Sequence, residues 1–355
     1  MKKIFAFTLM SFLICATFFC SKNYVVYAQQ SSSEIVMELN SLRVLHEKNS
    51  NEKKYMASTT KILTAITIIE ICDLNDVVTI TKETIGIEGS SIYLEEGEKL
   101  TVKDLLYGLM LRSGNDCAET LAVFCCGSVQ SFATLMNNTA QKIGAINSNF
   151  VNPHGLHDDN HYTTAYDLAL ISCYAMKNIN FREIVSTKIA TIPFTTRNYN
   201  RKLVNKNKML TEFDGSTGIK TGYTKKAGRC LVSSCIRDGM ELICVVLNCP
   251  PMFERSKQLL NNVFDEYKNY KLIESDNIID FVKVKNSGQK IGIYIKNDVC
   301  LPLSKIEKEK VNIVYEYPKE LKNNVKKDQE IGVVKIYCEN NLIFQEKIYT
   351  ILGVE

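Results

Sequence analysis

The stretch Ser58-Thr59-Thr60-Lys61 stands directly before the apolar block Ile62-Leu63-Thr64-Ala65-Ile66-Thr67-Ile68-Ile69-Glu70-Ile71. A block of this length and character predicts a buried element, either a helix or a strand. If it is a helix, the serine and the lysine of the first stretch lie three residues apart on one face. A lysine can take a proton from a serine only if burial or nearby cations lower the pKa of its amine. The stretch therefore predicts a serine nucleophile with a lysine base.

The segments around this block predict an α/β layered domain, with an antiparallel sheet flanked by helices. Residues 36–40 and 43–47 flank Ser41-Leu42 and predict an opening hairpin. Three closing strands form a meander, in which Asp238-Gly239 suits a tight turn between the last two. The remaining predicted elements are helices at 100–111 and 119–124, with Thr101 as N-cap, strands at 218–224, 229–236 and 241–248, and a helix at 254–267.

Length and composition limit the classes of protein. The 355 residues predict two domains, at roughly 100 to 200 residues each. Past residue 271 the alternation of Ile, Val and Tyr with polar residues predicts a small all-β C-terminal domain, 271–355, after a main domain, 29–270. A content of 45% apolar and 23% charged residues excludes disorder and collagen, and the net charge of +4 gives no indication of a nucleic-acid partner. The 13 cysteines show no metal-type spacing, which predicts small core residues rather than disulfides.

The N-terminus has the organisation of an export signal. Lys2 and Lys3 precede an apolar stretch at residues 4–20, and Val26-Tyr27-Ala28 places small residues where signal peptidase requires them. We expect residues 1–28 to be a signal peptide cleaved after Ala28, and the protein to act on the outer, cell-wall side of the membrane. An uncleaved membrane anchor is the alternative, because the apolar stretch approaches the length of a short transmembrane span.

Two further short motifs carry chemistry. Ser113-Gly114-Asn115 follows a predicted helix, and Lys220-Thr221-Gly222 opens a predicted strand. A glycine there lets a substrate backbone lie close to the strand edge, and the lysine can neutralise an anionic substrate. The Ser-x-Asn spacing also occurs at Ser21-Lys22-Asn23 and Ser275-Asp276-Asn277. The position of Ser113 between the other two motifs is what singles it out.

Ser-x-x-Lys, Ser-x-Asn and Lys-Thr-Gly in this order occur in penicillin-recognising serine enzymes. The sequence resembles the low-molecular-mass penicillin-binding proteins that act as D-alanyl-D-alanine carboxypeptidases, from residue 34 to residue 270 and more loosely beyond. The resemblance implies a β-lactamase/transpeptidase-like domain. The stretches that carry it are Ala57-Ser58-Thr59-Thr60-Lys61, Leu111-Arg112-Ser113-Gly114-Asn115-Asp116, Asn152-Pro153-His154-Gly155-Leu156 and Gly218-Ile219-Lys220-Thr221-Gly222-Tyr223-Thr224.

The resemblance also implies roles for single residues. Ser58 would attack the carbonyl between two terminal D-alanines of a peptidoglycan stem peptide, with Lys61 as base, and form an acyl-enzyme. Ser113 would relay a proton toward the leaving amine, while Asn115 and Lys220 would hold the network and the substrate. β-Lactams would acylate the same serine and act as inhibitors, and no cofactor is implied. The implied substrate-binding residues are Lys220, Thr221, Gly222 and Tyr223, and the implied oxyanion hole consists of the N–H groups of Ser58 and Tyr223.

Two features depart from the family pattern. Met252 precedes Phe253 where family members commonly have an arginine close to the substrate carboxylate. Arg255, Lys220 and Thr221 are left as candidates for that contact. The chain also stops directly after the predicted β domain, where family members often carry an amphipathic membrane helix, so any membrane contact is expected to be peripheral.

Three alternatives use the same sequence differently. A β-lactamase would need a glutamate that activates water, and between Asn115 and Lys220 no Glu is followed three and four residues later by Leu and Asn. Hydrolysis of a β-lactam acyl-enzyme is therefore expected to be slow. A catalytically silent wall-binding protein would tolerate loss of motif residues, and all are present. His154, His157 and His161 could indicate zinc, but they lack a clear fourth ligand, so we expect no metal.

Overall fold

The computed structural model of the chain describes residues 31–275, 277–322 and 324–353. The predicted signal peptide and its cleavage point after Ala28 lie outside the described residues. The strands are β1 Ser33–Glu38, β2 Val44–Lys48, β3 Val77–Thr79, β4 Lys99–Thr101, β5 Ile189–Ile192, β6 Arg201–Val204, β7 Ser216–Thr224, β8 Gly228–Arg237, β9 Met240–Leu247, β10 Lys268–Ile273, β11 Asp280–Val284, β12 Lys290–Tyr294, β13 Val299–Leu303, β14 Val311–Glu316, β15 Glu320–Leu321, β16 Glu330–Cys338 and β17 Asn341–Thr350. The α-helices are α1 Lys61–Ile71, α2 Val102–Leu111, α3 Asn115–Cys126, α4 Val129–Ile143, α5 Ala165–Met176, α6 Ile179–Ser186, α7 Met209–Glu212, α8 Met252–Glu266 and α9 Lys305–Lys310.

A five-stranded antiparallel sheet in the order β2-β1-β9-β8-β7 forms the framework of the first domain. The predicted opening hairpin is confirmed as β1 and β2, and the predicted meander as β7, β8 and β9. Asp238 and Gly239 have φ values of 48° and 73°, the left-handed pair that a tight hairpin turn requires. Strand β7 lies at one edge and pairs only with β8 within the sheet, so its outer edge carries backbone groups that the sheet does not use.

Helix α1 lies at the centre of the helical layer, which settles the choice between helix and strand for the apolar block. Every residue from Lys61 to Ile69 is buried. The helix packs against α2, α3, α4, α5 and α6. A helix enclosed on all sides is apolar all round and has no polar face from which a helical period could be read. Burial of these side chains stabilises the domain at roughly 25 cal/mol per Å² of apolar surface.

Helix α2 begins with a capping box. The side chain of Thr101 accepts a hydrogen bond from the backbone N–H of Asp104 (3.1 Å), whose carboxylate accepts one from the N–H of Thr101 (3.1 Å). The predicted N-cap is confirmed. The helix starts two residues later than predicted, because Lys99–Thr101 pair with β3 as strand β4. The helix ends at Leu111, two residues before Ser113.

The second face of the sheet is covered by α8. Alternate sheet residues such as Leu231 and Val246 pack against Leu260 and Val263 of this helix, while Val232 and Val245 face the helical layer. Strand β9 is buried along its whole length. Both faces of the sheet are therefore enclosed, and the predicted α/β domain with an antiparallel sheet flanked by helices is confirmed.

The C-terminal part of the chain is β-rich, as predicted. Its main sheet has the order β14-β16-β17-β12-β11-β15, and β10 and β13 form a separate pair. Residues such as Ile293, Leu301 and Ile336 form its core. Strands β12, β14 and β16 lie in the stretches where Ile, Val and Tyr alternate with polar residues.

Eleven cysteines lie in the described residues and all have free thiols.

Among the described helices, no single one is long and apolar enough to cross a membrane. Helices α3 and α4 meet the length and composition criteria only as a pair, with an 86° bend between them.

A buried ion pair ties β6 to the loop before β4. The guanidinium of Arg201 contacts both carboxylate oxygens of Glu98, and Glu98 is fully buried. The same guanidinium donates hydrogen bonds to the carbonyl oxygens of Ile92 (3.1 Å) and Tyr93 (2.8 Å). The loop of residues 92–98 is therefore anchored through one arginine.

Replacing Glu98 by glutamine is expected to destabilise the protein by about 3 to 5 kcal/mol, because it leaves the buried Arg201 charge uncompensated. Thermal unfolding followed by circular dichroism measures the change. Glu95→Gln is the matched control. Glu95 lies three residues before Glu98 in the same loop and pairs with the exposed Arg197, so its replacement should have a small effect. Equal melting temperatures for the two variants would contradict this account of the loop.

Candidate active site

Ser58 lies in a single 3-10 turn, Ala57–Thr60, that leads directly into α1. Its side chain is half-buried, and its Oγ lies 3.3 Å from Nζ of Lys61. The N–H groups of a first helical turn have no intrahelical acceptor and create a positive potential. The sequence therefore places the hydroxyl where a developing negative charge is stabilised.

The amine of Lys61 is completely enclosed. It donates hydrogen bonds to Oδ1 of Asn115 (2.7 Å) and to the carbonyl oxygen of His154 (2.6 Å). Burial shifts the pKa of this amine well below its ordinary value, and the positive charge of Lys220 lowers it further. A neutral amine has two N–H groups and one lone pair. The two carbonyl-type acceptors take the N–H groups, which leaves the lone pair for the hydroxyl of Ser58.

The loop of residues 152–156 brings the carbonyl group of His154 to this amine. Oδ1 of Asn152 accepts a hydrogen bond from the N–H of Gly155 (2.7 Å), and Oγ1 of Thr64 donates one to the Pro153 carbonyl (2.7 Å). Gly155 has a φ of 86°, and a Cβ at this position would collide with the carbonyl oxygen of Ala57. Only glycine lets the loop lie this close to the Ser58 turn.

Ser113 and Asn115 come from the junction between α2 and α3. Ser113 has a φ of 64°, and its buried Oγ has no hydrogen-bond partner among the described residues. Asn115 accepts from Lys61 through Oδ1 and donates through Nδ2 to the carbonyl oxygen of Glu88 (2.5 Å). The orientation of its amide is therefore fixed on both sides.

Asp116 holds the rim of the cleft. Its carboxylate accepts hydrogen bonds from Oγ of Ser91 (2.5 Å) and from the N–H groups of Ile92 (3.2 Å) and Leu94 (3.1 Å). The carbonyl oxygen of Ser90 accepts from the N–H of Asn115 (2.7 Å). These bonds place Ser90 beside the catalytic motif.

Strand β7, at the edge of the sheet, carries the remaining residues predicted from the sequence. Lys220 is buried and donates to the carbonyl oxygen of Thr221 (2.9 Å). Burial, together with the charge of Lys206, lowers the pKa of Lys220 to about 7. A Cβ on Gly222 would lie 2.9 Å from the Met56 carbonyl oxygen and 3.2 Å from the Ser58 nitrogen. The strand therefore lies directly against the turn that carries Ser58.

A cavity of about 330 Å³ opens between these elements. All eight residues predicted from the sequence meet here: some line the cavity, and Lys61, Asn115 and Lys220 lie buried in the wall behind it. Sequence reasoning missed Ser90, Lys206 and Arg229, because none belongs to a motif. The lining residues are Ser58, Ser90, Ser113, Lys206, Thr221, Gly222, Tyr223, Arg229, Met252 and Phe253.

Arg255, which the sequence left as a candidate for the carboxylate contact, has another partner. Arg255 donates to Oε2 of the buried Glu34 through Nη2 (2.7 Å) and Nε (3.1 Å), and it does not line the cavity.

The histidines that could have indicated zinc are buried. Burial lowers the pKa of His154 and lowers that of His161 to about 3. His154 contacts Glu119, whereas His161 contacts Thr60 (2.8 Å). Among the described residues, no group of three or more His, Cys, Asp or Glu side chains is arranged to hold a metal.

A serine hydroxyl that contacts a buried amine, beside an open strand edge, is an arrangement found in serine enzymes. The D-alanyl-D-alanine carboxypeptidase family, peptidase S11, matches residues 21–250, and the C-terminal domain family of penicillin-binding protein 5 matches residues 267–355. The chain belongs to the D-alanyl-D-alanine carboxypeptidase family. It is a serine peptidase, and the resemblance seen in the sequence is confirmed.

Relatives match along most of the chain. D-alanyl-D-alanine carboxypeptidase DacF of Bacillus subtilis is 32% identical over 90% of this chain and 85% of its own length. DacC of Escherichia coli is 29% identical over 97% of this chain and 89% of its own. The crystal structure of penicillin binding protein 5 from Haemophilus influenzae superposes with a TM-score of 0.77 and 28% identity, covering 91% of this chain and 97% of that one.

Gly222→Ala is expected to lower the rate of acylation by penicillin about 100-fold, because the added Cβ pushes the Ser58 turn out of position. Stopped-flow measurement with a fluorescent penicillin gives the rate. Gly292→Ala is the control, since a Cβ there meets only ends of side chains, at 3.3 Å or more, in the β-rich domain. Undiminished acylation of the Gly222→Ala protein would show that the close approach of β7 is not required.

Proposed function

We propose that this D-alanyl-D-alanine carboxypeptidase uses Ser58 as nucleophile and Lys61 as general base on peptidoglycan stem peptides. The observation that carries the proposal is the 3.3 Å contact between Ser58 Oγ and the buried amine of Lys61. As Oγ attacks the carbonyl carbon between the two terminal D-alanines, its proton passes to the amine lone pair. A C–O bond forms and the carbonyl π bond opens to an oxyanion.

The oxyanion is held by backbone N–H groups. Ser58 supplies one from the first turn of the helix, and Tyr223 supplies the other from the edge strand. The contact between Gly222 and the Ser58 turn supports this pairing, because it brings the two backbones together. One oxyanion donor is typically worth about 3 kcal/mol of transition-state stabilisation. The penultimate D-alanine lies along the outer edge of β7, where the sheet leaves backbone groups available.

Expulsion of D-alanine needs a proton on the leaving nitrogen. Ser113 lines the cavity, and its buried Oγ has no hydrogen-bond partner among the described residues, so it relays the proton from Lys61 to the amine. The C–N bond breaks, and the shortened peptide stays on Ser58 as an ester. Lys220 adds positive charge on the same side of the cleft, and Asn115 keeps the Lys61 amine in place.

Water completes the cycle. It attacks the ester carbonyl, Lys61 accepts its proton, and the C–O bond to Ser58 breaks with return of the proton to the serine. A β-lactam acylates the same hydroxyl, but its ring-opened amine remains tethered in the cleft. The ester then persists, so the protein is inhibited rather than turning the drug over.

The cellular location and the domain boundaries of the protein can also be proposed. We infer that residues 1–28 are a signal peptide cleaved after Ala28, that residues 29–270 form the peptidase domain, and that residues 271–355 form a separate β domain with at most peripheral membrane contact. The relatives supporting an enzyme outside the cytoplasm are the D-alanyl-D-alanine carboxypeptidases. Mass spectrometry of the native N-terminus tests the cleavage point, and a mature chain beginning at Met1 would contradict it.

Ser58→Ala is expected to abolish covalent labelling by a fluorescent penicillin and the release of D-alanine, because it removes the hydroxyl that contacts the Lys61 amine. Ser50→Ala is the matched control: Ser50 begins a second Ser-x-x-Lys spacing, but its Oγ donates to Glu47 (2.6 Å) away from the cleft. Full labelling of the Ser58→Ala protein would refute the nucleophile. Rapid turnover of nitrocefin would favour the β-lactamase alternative.

The pH profile of kcat/KM tests the two lysines. The lowered pKa of Lys61 supplies a neutral base as pH rises, whereas Lys220 is charged below its pKa of about 7 and neutral above it. We therefore expect kcat/KM to rise and then fall, with the falling limb starting near pH 7; because the amines interact, the limbs belong to the pair. Lys220→Arg should move the falling limb to higher pH. An unchanged limb in that variant would exclude Lys220 as its source.

A further inference from the structure

A carboxypeptidase must distinguish a free C-terminal carboxylate from a continuing chain. The leaving D-alanine carries this carboxylate one residue beyond the attacked carbonyl, and a positively charged donor at that distance provides the distinction. Within the described residues, two cationic side chains line the cavity, Lys206 and Arg229. The identity of the cation rests on the proposed function, because only that function fixes which group must be bound.

Lys206 belongs to the proton-transfer side of the cleft. Its amine donates to Oγ of Ser90 (3.0 Å), and burial, together with the charge of Arg112, lowers its pKa. Its charge acts directly on the amines of Lys61 and Lys220. This side chain therefore already contacts Ser90 and lowers the pKa of both neighbouring amines.

Arg229 reaches the cavity from the neighbouring strand β8. In the register of the sheet it pairs with Tyr223, so the two side chains lie on the same face. Thr221 stands two residues before Tyr223 and shares that face, and its own partner Leu231 packs in the core under α8. Thr221 and Arg229 thus converge on one end of the cavity.

The guanidinium of Arg229 is available for a ligand. Its central carbon lies 5.3 Å from the centre of the Tyr223 ring, which orients it by a cation–π contact. The side chain is exposed, and within the described residues it makes no ion pair with a carboxylate. A guanidinium offers paired N–H donors that match the two oxygens of a carboxylate.

One further part of the cavity wall is uncharged. It consists of Met252 and Phe253 at the start of α8. Arg255, one turn further along the helix, is committed to the buried Glu34. Among the described residues, helix α8 therefore contributes no cation to the lining of this cavity, whereas strand β8 contributes Arg229.

We propose that Arg229, together with the hydroxyl of Thr221, binds the C-terminal carboxylate of the substrate and sets the preference for peptides that end in a free D-alanine. Arg229 is a substrate-binding residue on β8, and Tyr223 positions it. The consequence is a carboxylate site formed by adjacent strands rather than by the helix that follows the sheet.

The test compares two substrates that differ only at the C-terminus: a blocked tripeptide ending in D-alanyl-D-alanine, and the same peptide as its C-terminal amide. For Arg229→Gln we expect kcat/KM on the acid to fall about 10- to 100-fold, the range of a charge-assisted hydrogen bond. kcat/KM on the amide should stay within twofold of wild type. Arg229→Lys should recover part of the loss on the acid.

Arg255→Gln is the matched control and should keep the wild-type ratio of acid to amide turnover. An unchanged ratio in Arg229→Gln, an equal fall on both substrates, or a collapse of the ratio in Lys206→Gln alone would overturn the assignment. Failure of the proposed function is seen separately, because wild-type protein would then release no D-alanine from the acid and would not be labelled by penicillin at Ser58.

Discussion

The burial of one amine is the constraint on which this site depends. Lys61 begins the central helix, so its side chain is enclosed by the same packing that stabilises the helical layer. A buried ammonium without a carboxylate partner is unfavourable, which shifts the equilibrium toward the neutral amine. The enclosure alone would leave polar atoms unsatisfied. Asn115 and the carbonyl group of His154 remove that penalty while leaving the lone pair toward Ser58.

The three groups around the amine come from distant segments, and close backbone packing joins them. The Ser58 turn is held between the loop at Gly155 and the edge strand at Gly222, two positions where a Cβ would meet backbone atoms of that turn. The asparagine side chain is fixed by Glu88 and the rim by Asp116. A rigid scaffold of this kind keeps the hydroxyl, the amine and the edge strand in one geometry without rearrangement during the reaction.

The sequence was informative where the determinants are local. The spacing of Ser58 and Lys61, the turn at Asp238-Gly239 and the cap at Thr101 each depend on a few neighbouring residues, and the structure has all three. Helix or strand could not be decided for the central block, because an element buried on all sides has no polar face. Strands β3 to β6 are only three or four residues long, which is too short for an alternating pattern to be recognised in the sequence.

Side-chain partners that are far apart in the sequence could not be predicted from it. Arg255 and Glu34 are 221 residues apart, and the sequence around each residue gives no indication of their ion pair. The role of the His154 carbonyl group is carried by backbone, which has no residue signature. Arg229 became visible only through strand register, which placed it beside Tyr223. The motifs thus predicted which residues lie together at the site, and the fold was needed to find the partners of those residues.

The protonation state of Lys61 is the quantity that tests the account most directly. Nitrogen-15 NMR of protein labelled at the lysine Nζ, with Lys61→Arg used to assign the signal, follows this amine through a pH titration. The account predicts that it titrates well below its ordinary value of 10.5, so that a large neutral fraction exists where the enzyme works. An amine that stays protonated up to pH 10 would contradict the account.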